Sequence, residues 1–343
     1  MRENGEILLN FYGLVSLSVH CPPRIARFLR SEWGAFSASE SPGRFDITIR
    51  WARVPNGRGG GDVRRRVQRA GGWYKGCFWR ATVSESESNT RVDYLSVPRS
   101  AFLFKDSCIE PLLLSKLAEK GLHSLHASSL LIGKKAWIFC GSPGSGKTVL
   151  GLLGAAAGYT LVSDDISFVR DRIAIGYPVP PRISPRENLN RRLLQELVAH
   201  NMEPELMFNH FVSSSTFGRV RVPTRLTGRT GRFGGMQSNN GYQIGGVIFM
   251  KTARGPPVLE PVFDRWYAIQ EAVDSWPQHG GSILSDSHSN ETGRYIRRQA
   301  LSSGIGFAVD SQRCYVLRVP ARASGKDWKE AFRQVESIAE ELD

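Results

Sequence analysis

The sequence lacks the long apolar segment that a membrane-spanning helix requires. None of its apolar runs reaches the roughly eighteen residues needed to cross a bilayer. The N-terminal segment MRENGEILLNFYG places charge before a short apolar run but has no small-residue cleavage site. We therefore expect a cytoplasmic protein without a membrane partner.

Cysteine is scarce and scattered. The five cysteines, Cys21, Cys77, Cys108, Cys140 and Cys314, are odd in number and include no CxxC pair. Neither a disulfide framework nor a zinc site is indicated. Cys140 ends an apolar run directly before a glycine-rich segment, and we expect it to be a small buried side chain.

Acidic residues are outnumbered by basic ones. The chain has 45 Lys and Arg against 32 Asp and Glu, which gives a formal net charge of +13. This charge favours an anionic partner, which can be a nucleotide, an acidic peptide, nucleic acid or a membrane surface. No RNA-binding or DNA-binding motif is recognisable, so nucleic acid is the less favoured of these partners.

Residues 1–107 have the pattern of strands and turns. FDITIRWARV alternates apolar and polar residues, and GCFWRATVS and TRVDYLSVP are rich in aromatic and β-branched residues. Between the first two of these segments lies NGRGGGDVRRRVQRAGG, a glycine and arginine loop with its basic core at 58–69. This loop is either solvated or a binding element. We expect a smaller β-rich N-terminal domain, 1–107, with substrate binding left open.

The remaining residues, 108–343, have the pattern of an α/β domain. EPLLLSKLAEK, with a proline near its start and Gly121 past its end, predicts a helix at 110–120. ASSLLIG and AWIFC, joined at Lys134-Lys135, predict a hairpin. Further helices are predicted at 187–200 and at the C-terminus, and strands at 242–251 and 312–319. The last helix places Trp328, Phe332 and Val335 on one apolar face, which is typical of core packing.

The chemistry is concentrated between the hairpin and the next strand. Residues 141–148, GSPGSGKT, match GxxxxGK[ST], with a predicted strand before them and the predicted helix GKTVLGLLGAAAG after them. A glycine-rich turn of this kind lets backbone N–H groups and the positive end of a helix face one anion. We expect Lys147 to reach the β and γ phosphates of ATP, and Thr148 to hold Mg²⁺. The candidate nucleotide-binding residues are Gly141, Ser142, Gly144, Ser145, Gly146, Lys147 and Thr148.

Two adjacent acids, Asp164 and Asp165, end the predicted strand YTLVSDD. If this strand runs parallel to 136–140, both carboxylates fall at the sheet edge where the glycine-rich loop lies. One carboxylate can then act on Mg²⁺, with Asp164 as the candidate, and the other can take a proton from a hydroxyl nucleophile. The alternative is a helix cap or turn after the strand.

His126 precedes the predicted hairpin. Antiparallel pairing of the hairpin brings His126 level with Gly141, at the mouth of the loop, where it can contact a γ phosphate or the nucleophile. A lone histidine is otherwise more often structural. His126 therefore joins Lys147, Asp164 and Asp165 as a candidate catalytic residue.

Read together, LHASSLLIGKKAWIFCGSPGSGKTVLGLLGAAAGYTLVSDD, residues 125–165, resembles the catalytic core of the HPr kinase/phosphorylase family and its relatives. The shared features are a histidine before a hairpin, a P-loop and an Asp-Asp pair. YPVPPRISPRENL and GGVIFMKTARGPPVLEPV are similar to later segments of that family. The resemblance implies a phosphoenolpyruvate-carboxykinase-like core that transfers the γ phosphate of ATP to a serine hydroxyl, with Asp164 or Asp165 as general base.

The chain departs from that family beyond residue 165. The glycine-containing stretch with a glutamate and an arginine, which serves the phosphorylase reaction, is not found. In its place stands SSTFGRVRVPTRLTGRTGRFGG, residues 214–235, with five arginines and no acid. This segment is either an arm for an acidic peptide or phosphate, or a disordered basic loop.

Three functions are therefore kept open. The leading one is an ATP-dependent serine kinase that acts on a small protein or a ribosomally made peptide. The second is a kinase of a small molecule such as free serine. The third is a non-catalytic nucleotide switch or nucleic-acid binder, in line with the basic charge. A homo-oligomer is compatible with each of them.

Overall fold

The computed structural model describes residues 5–38, 44–51, 66–74, 77–86, 89–96, 104–177, 182–183, 224–225, 241–274 and 313–342. Within these ranges the chain has five α-helices, two large sheets and one two-stranded sheet. The expected mixed α/β class is confirmed at this level. No helix in the described part is long and apolar enough to cross a membrane.

The described residues form two compact units that divide after Leu122. The first unit contains β1 (Gly5–Phe11), β2 (Val15–Cys21), α1 (Pro23–Trp33), β3 (Ile47–Trp51), β4 (Arg66–Tyr74), β5 (Cys77–Ser86), β6 (Asn89–Ser96) and α2 (Glu110–Glu119). The helix α2 matches the helix predicted at 110–120. It belongs to the first unit, whereas the sequence analysis assigned residues from 108 onward to the second domain.

The second unit contains the elements around the glycine-rich loop. Its strands are β7 (His123–Leu125), β8 (Ala127–Ile132), β9 (Lys135–Gly141), β10 (Thr160–Ser163), β11 (Ser167–Arg170), β12 (Ile173–Gly176), β13 (Arg182–Ile183), β14 (Thr224–Arg225), β15 (Tyr242–Ala253), β16 (Val258–Pro261) and β17 (Cys314–Pro320). Its helices are α3 (Lys147–Ala157), α4 (Arg265–Asp274) and α5 (Gly325–Glu341).

The sheet of the first unit has the order β1-β2-β3-β6-β5-β4. It is mixed, because β3 pairs parallel with both β2 and β6, while the other neighbours are antiparallel. The helix α1 packs on β1 through a stripe of buried residues, Ile25, Ala26, Leu29 and Trp33. The sequence pattern predicted only strands and turns before residue 107, and α1 corrects that prediction. The spacing of that stripe is the helical signal that was missed.

The glycine and arginine loop expected at 56–72 is partly wrong. Residues 66–74 form β4, which pairs antiparallel with β5 from Arg66 opposite Glu85 to Tyr74 opposite Cys77. The glycine and arginine content of this segment does not favour a strand. Because β-propensity depends on the cross-strand partner, the backbone pairing with β5 outweighs that composition. Residues 58–65 of the basic core lie outside the described residues.

The sheet of the second unit has the order β10-β8-β9-β15-β12-β11-β7, and β17 and β16 extend it beside β15. The predicted hairpin is confirmed: β8 and β9 pair antiparallel, with Gly133 and Lys134 as the turn rather than Lys134 and Lys135. The strands β9, β15 and β17 are parallel, with Met250 opposite Gly141 and Ala253 opposite Pro320. Their carboxyl ends therefore lie at one edge of the sheet.

The two faces of this sheet carry separate cores. On one face α3 and α5 pack on Trp137 and Phe139, and Phe332 and Val335 supply the apolar side of α5. On the other face α4 packs on Ile138, Cys140 and Phe249. Cys140 is fully buried, as expected. The helix expected at 187–200 and the basic segment 214–235, except Thr224–Arg225, lie outside the described residues.

The close approach of Trp137 to β15 generates a stability prediction. A Cβ built on Gly246 would lie 2.5 Å from Cζ3 and 2.9 Å from Cε3 of the buried Trp137 ring. We expect Gly246→Ala to lower the free energy of unfolding by about 1–3 kcal/mol, because the added methyl group would overlap a buried indole. Urea unfolding followed by circular dichroism measures the change.

The matched control for this prediction is Gly325→Ala. A Cβ on Gly325 meets nothing within 4 Å, so we expect it to change the free energy of unfolding by less than about 0.5 kcal/mol. Equal unfolding midpoints for the two variants would contradict the packing argument.

Candidate active site at the glycine loop

The glycine loop, residues 141–148, connects the end of β9 to the first turn of α3. Gly144 and Gly146 have φ angles of +84° and +97°, a left-handed conformation that glycine adopts without steric cost. Gly146 is the N-cap of α3 and has no side chain with which to cap it. The first amide groups of α3 therefore face the loop as hydrogen-bond donors, which is the arrangement that binds anions.

Lys147 lies inside this loop rather than in solvent. It is 6% exposed, and its Nζ donates to the carbonyl oxygens of Gly141 at 2.7 Å and Ser142 at 3.2 Å. Ser142 and Gly144 are exposed at the outer side of the loop, and Ser145 is half-buried. The structure thus places one ammonium group beside the uncapped helix end.

Asp164 joins the loop from the end of β10. Its carboxylate, on a residue 5% exposed, accepts a hydrogen bond from Oγ1 of Thr148, at 3.0 Å to Oδ1 and 3.3 Å to Oδ2. The strand β10 runs in the same direction as β9, as expected, but the antiparallel strand β8 lies between them. The Asp164 carboxylate therefore meets Thr148, which lies in the first turn of α3, across the intervening strand β8.

Burial, and after it the neighbouring Asp165 carboxylate, raise the pKa of Asp164 from its ordinary value of 3.8 to about 6. The Thr148 hydroxyl, the Lys147 charge and a backbone N–H oppose this shift by favouring the charged form. The balance means that a charged Asp164 destabilises the folded protein unless another positive charge is close. Such an environment is typical of functional carboxylates.

Asp165 has the opposite exposure. Its side chain is 73% exposed, whereas the His126 side chain is 8% exposed, and Nε2 of His126 lies 3.1 Å from Oδ1 of Asp165. Asp165 adopts a left-handed φ of +68°, and its carbonyl accepts from the Ala127 N–H at 3.1 Å. Because Ala127 lies opposite Cys140 in the hairpin, His126 and Asp165 stand next to the start of the glycine loop.

A buried serine cluster, Ser129, Ser163 and Ser167, lies directly beneath the two acids. The Ser163 hydroxyl is 2.6 Å from the hydroxyls of both Ser129 and Ser167, and Ser167 also donates to the Ala127 carbonyl at 3.2 Å. All three are fully buried. The cluster ties β8, β10 and β11 together on both sides of the Asp164-Asp165 turn. This cluster was not predicted from the sequence, although serines flank the two acids in VSDDIS.

The arrangement provides two carboxylates with different chemistry. The buried one lies beside a hydroxyl and an ammonium, and the exposed one is paired with an imidazole. Within the described ranges no group of three or more His, Cys, Asp and Glu side chains is placed to hold a metal ion. A cation beside Thr148 and Asp164 would therefore take its remaining ligands from water or from phosphate oxygens.

The raised pKa of Asp164 predicts a pH dependence of stability. The folded-state pKa, about 6, exceeds the ordinary value of 3.8, so the charged carboxylate destabilises the fold above about pH 6 and no longer does so below about pH 4. We expect Asp164→Asn to be more stable than the parent at pH 7.5 in metal-free buffer. Its advantage should shrink by about 2–3 kcal/mol at pH 4.

Urea unfolding of both proteins at the two pH values measures this difference, and all other carboxylates cancel between them. A stability difference that does not change with pH would contradict the assigned burial cost. The comparison variant is Asp165→Asn, which alters the exposed neighbouring carboxylate.

No protein-family model matches this sequence, and no curated protein is significantly similar to it. A functional conclusion therefore depends on the chemistry of the residues at the glycine loop.

Proposed function

We propose that the chain is an ATP-dependent kinase that transfers the γ phosphate to a serine hydroxyl of a small protein or a ribosomally made peptide. The observation that carries the proposal is the pairing of Asp164 with Thr148 and of Asp165 with His126 beside one glycine loop. A second support is the resemblance of residues 125–165 to the HPr kinase/phosphorylase core. By that resemblance the second unit is a phosphoenolpyruvate-carboxykinase-like P-loop domain of a cytoplasmic enzyme.

In this proposal the amides at the start of α3 bind the phosphate chain. Lys147, which donates to Gly141 and Ser142 in the present structure, exchanges these carbonyl partners for β and γ phosphate oxygens. An ammonium already enclosed by the loop has little entropy to lose on binding. The charge of Lys147 then stabilises the transferring phosphoryl group.

Thr148 and Asp164 are the residues that would hold Mg²⁺. They fit the ion because the hydroxyl and carboxylate oxygens are hard ligands that already lie 3.0 Å apart. Burial also raises the pKa of the Asp164 carboxyl despite the Lys147 charge, so a bound cation would favour its charged form. When bound, Mg²⁺ supplies neutralisation of the charge on the β and γ phosphates.

Asp165 is proposed as the general base, because it is exposed while Asp164 is engaged with Thr148. Its carboxylate accepts the proton of the serine hydroxyl as the serine oxygen forms a bond to the γ phosphorus. The bond from that phosphorus to the oxygen bridging to the β phosphate breaks, and ADP leaves. His126 holds the Asp165 carboxylate in position for this transfer.

The first test is phosphoryl transfer by Lys147→Ala. We expect a loss of about 10²-fold or more in kcat/KM with ATP, because one charge that stabilises the transition state is removed. The measurement is transfer of label from γ-labelled ATP to peptides encoded by neighbouring genes, with free serine as a parallel acceptor. Label on free serine alone would favour the small-molecule kinase.

Lys134→Ala is the matched control for this test. Lys134 is an exposed residue of the β8-β9 turn, and we expect the parent rate to be retained. Absence of nucleotide binding in the parent protein, or equal rates for both lysine variants, would overturn the proposed function.

The second test separates the roles of the two aspartates. We expect Asp165→Asn to leave the Kd for ATP within about threefold of the parent value and to lower kcat by about 10²–10⁴-fold, since only the proton acceptor is lost. Asp164→Asn should instead weaken Mg²⁺-dependent ATP binding. Calorimetric titration with and without Mg²⁺, together with the transfer assay, makes the comparison. Equal loss of binding and transfer in Asp165→Asn would contradict its role as base.

A further inference from the structure

Trp328 contacts the glycine loop as well as the core. It lies in the first turn of α5 and is packed, partly buried, against the core beneath α3. A Cβ built on Gly146 would overlap Cη2 of the Trp328 ring and lie 2.6 Å from Cζ2. The indole edge thus stands directly against the N-cap residue of α3, where the sequence analysis expected only core packing.

The contact follows from the way α5 lies alongside α3. Phe332, one turn after Trp328, reaches the middle of α3, since a Cβ on Gly154 would lie 3.1 Å from its Cε2. Beyond the end of α3, the Tyr159 ring is 5.9 Å from Phe332, and its hydroxyl bonds to Glu336. The two helices therefore begin at the same end, and Trp328, in the first turn of α5, lies against the glycine loop.

The start of α5 is itself held firmly. Ser324 and Asp327 form a capping box, in which the Ser324 N–H donates to the Asp327 carboxylate at 2.7 Å and the Asp327 N–H donates to Oγ of Ser324 at 3.3 Å. The strand β17, which precedes this cap, runs parallel to β15 in the sheet. Trp328 therefore projects from a fixed helix end.

We propose that Trp328 is a positioning residue for the phosphate site: its indole holds Gly146 in the left-handed conformation, so that the first amides of α3 stay aimed at the phosphates. This inference rests on the proposed function, because it assigns α5 a role in nucleotide binding. Gly146 has no side chain that could hold its own backbone, and the indole restrains it from outside. A restrained loop loses less conformational entropy when an anion binds.

The test compares three variants of α5. Trp328→Ala removes the whole indole, and Trp328→Phe keeps an aromatic ring on α5 but lacks the outer edge of the indole that contacts Gly146. Phe332→Ala is the matched control, because Phe332 is a buried residue of the same helix face that contacts Gly154 in the second half of α3 rather than Gly146. The readouts are the Kd for ADP, hydrogen exchange of the peptides covering 141–150, and the urea midpoint.

We expect Trp328→Ala to raise the Kd for ADP about tenfold, which corresponds to about 1.4 kcal/mol, and to speed hydrogen exchange in the glycine loop. Trp328→Phe should also raise the Kd and speed exchange in the loop, because its shorter ring does not reach Gly146, while it lowers the urea midpoint less than Trp328→Ala does. Phe332→Ala should lower the urea midpoint at least as much as Trp328→Ala and leave both the Kd and the exchange of the loop unchanged.

Equal effects of Trp328→Ala and Phe332→Ala on the loop would overturn the inference, since Trp328 would then act through general stability. Unchanged exchange and Kd in Trp328→Ala would overturn it as well. If the parent protein binds no ADP, the proposed function fails. In that case faster exchange confined to the two Trp328 variants would still support the restraint of Gly146, and unchanged exchange would reject it.

Discussion

The hydrogen bond from Thr148 to the buried carboxylate of Asp164 is the interaction on which the site depends. It joins the first turn of α3 to the end of β10 across the intervening strand β8. Without this hydrogen bond, the glycine loop and the Asp164-Asp165 turn would lie at the same sheet edge with no bond between them. With it, a helix N-terminus, an ammonium group and two carboxylates share one small region, and the two carboxylates acquire different environments.

This arrangement is maintained at a cost to stability. Asp164 is buried with a raised pKa, and Asp165 adopts a left-handed φ that an aspartate tolerates less well than glycine does. The Ser129, Ser163 and Ser167 hydroxyls bond to one another on both sides of this turn and hold its flanking strands together. Strain and buried charge that surrounding structure maintains are common at functional sites.

Lys147 is a buried basic residue beside the candidate phosphate site. A net charge of +13 indicates anionic partners in general. Lys147 is the basic residue that the glycine loop encloses, with its ammonium against two loop carbonyls. The arginines of 214–235 are candidates for binding an acidic acceptor, and that role remains a prediction from the sequence.

The sequence by itself determined the local elements: the hairpin of β8 and β9, the glycine loop, α3 and the apolar face of α5 all follow from patterns within a few residues of each other. It did not reveal α1, whose apolar spacing was overlooked, or β4, whose glycine and arginine content indicated a loop. Only the tertiary structure decided that Asp164 contacts Thr148 while Asp165 contacts His126, that three serines meet beneath them, and that Trp328 stands against Gly146. These contacts join residues far apart in the chain, and their geometry depends on how strands and helices pack, which no local pattern encodes.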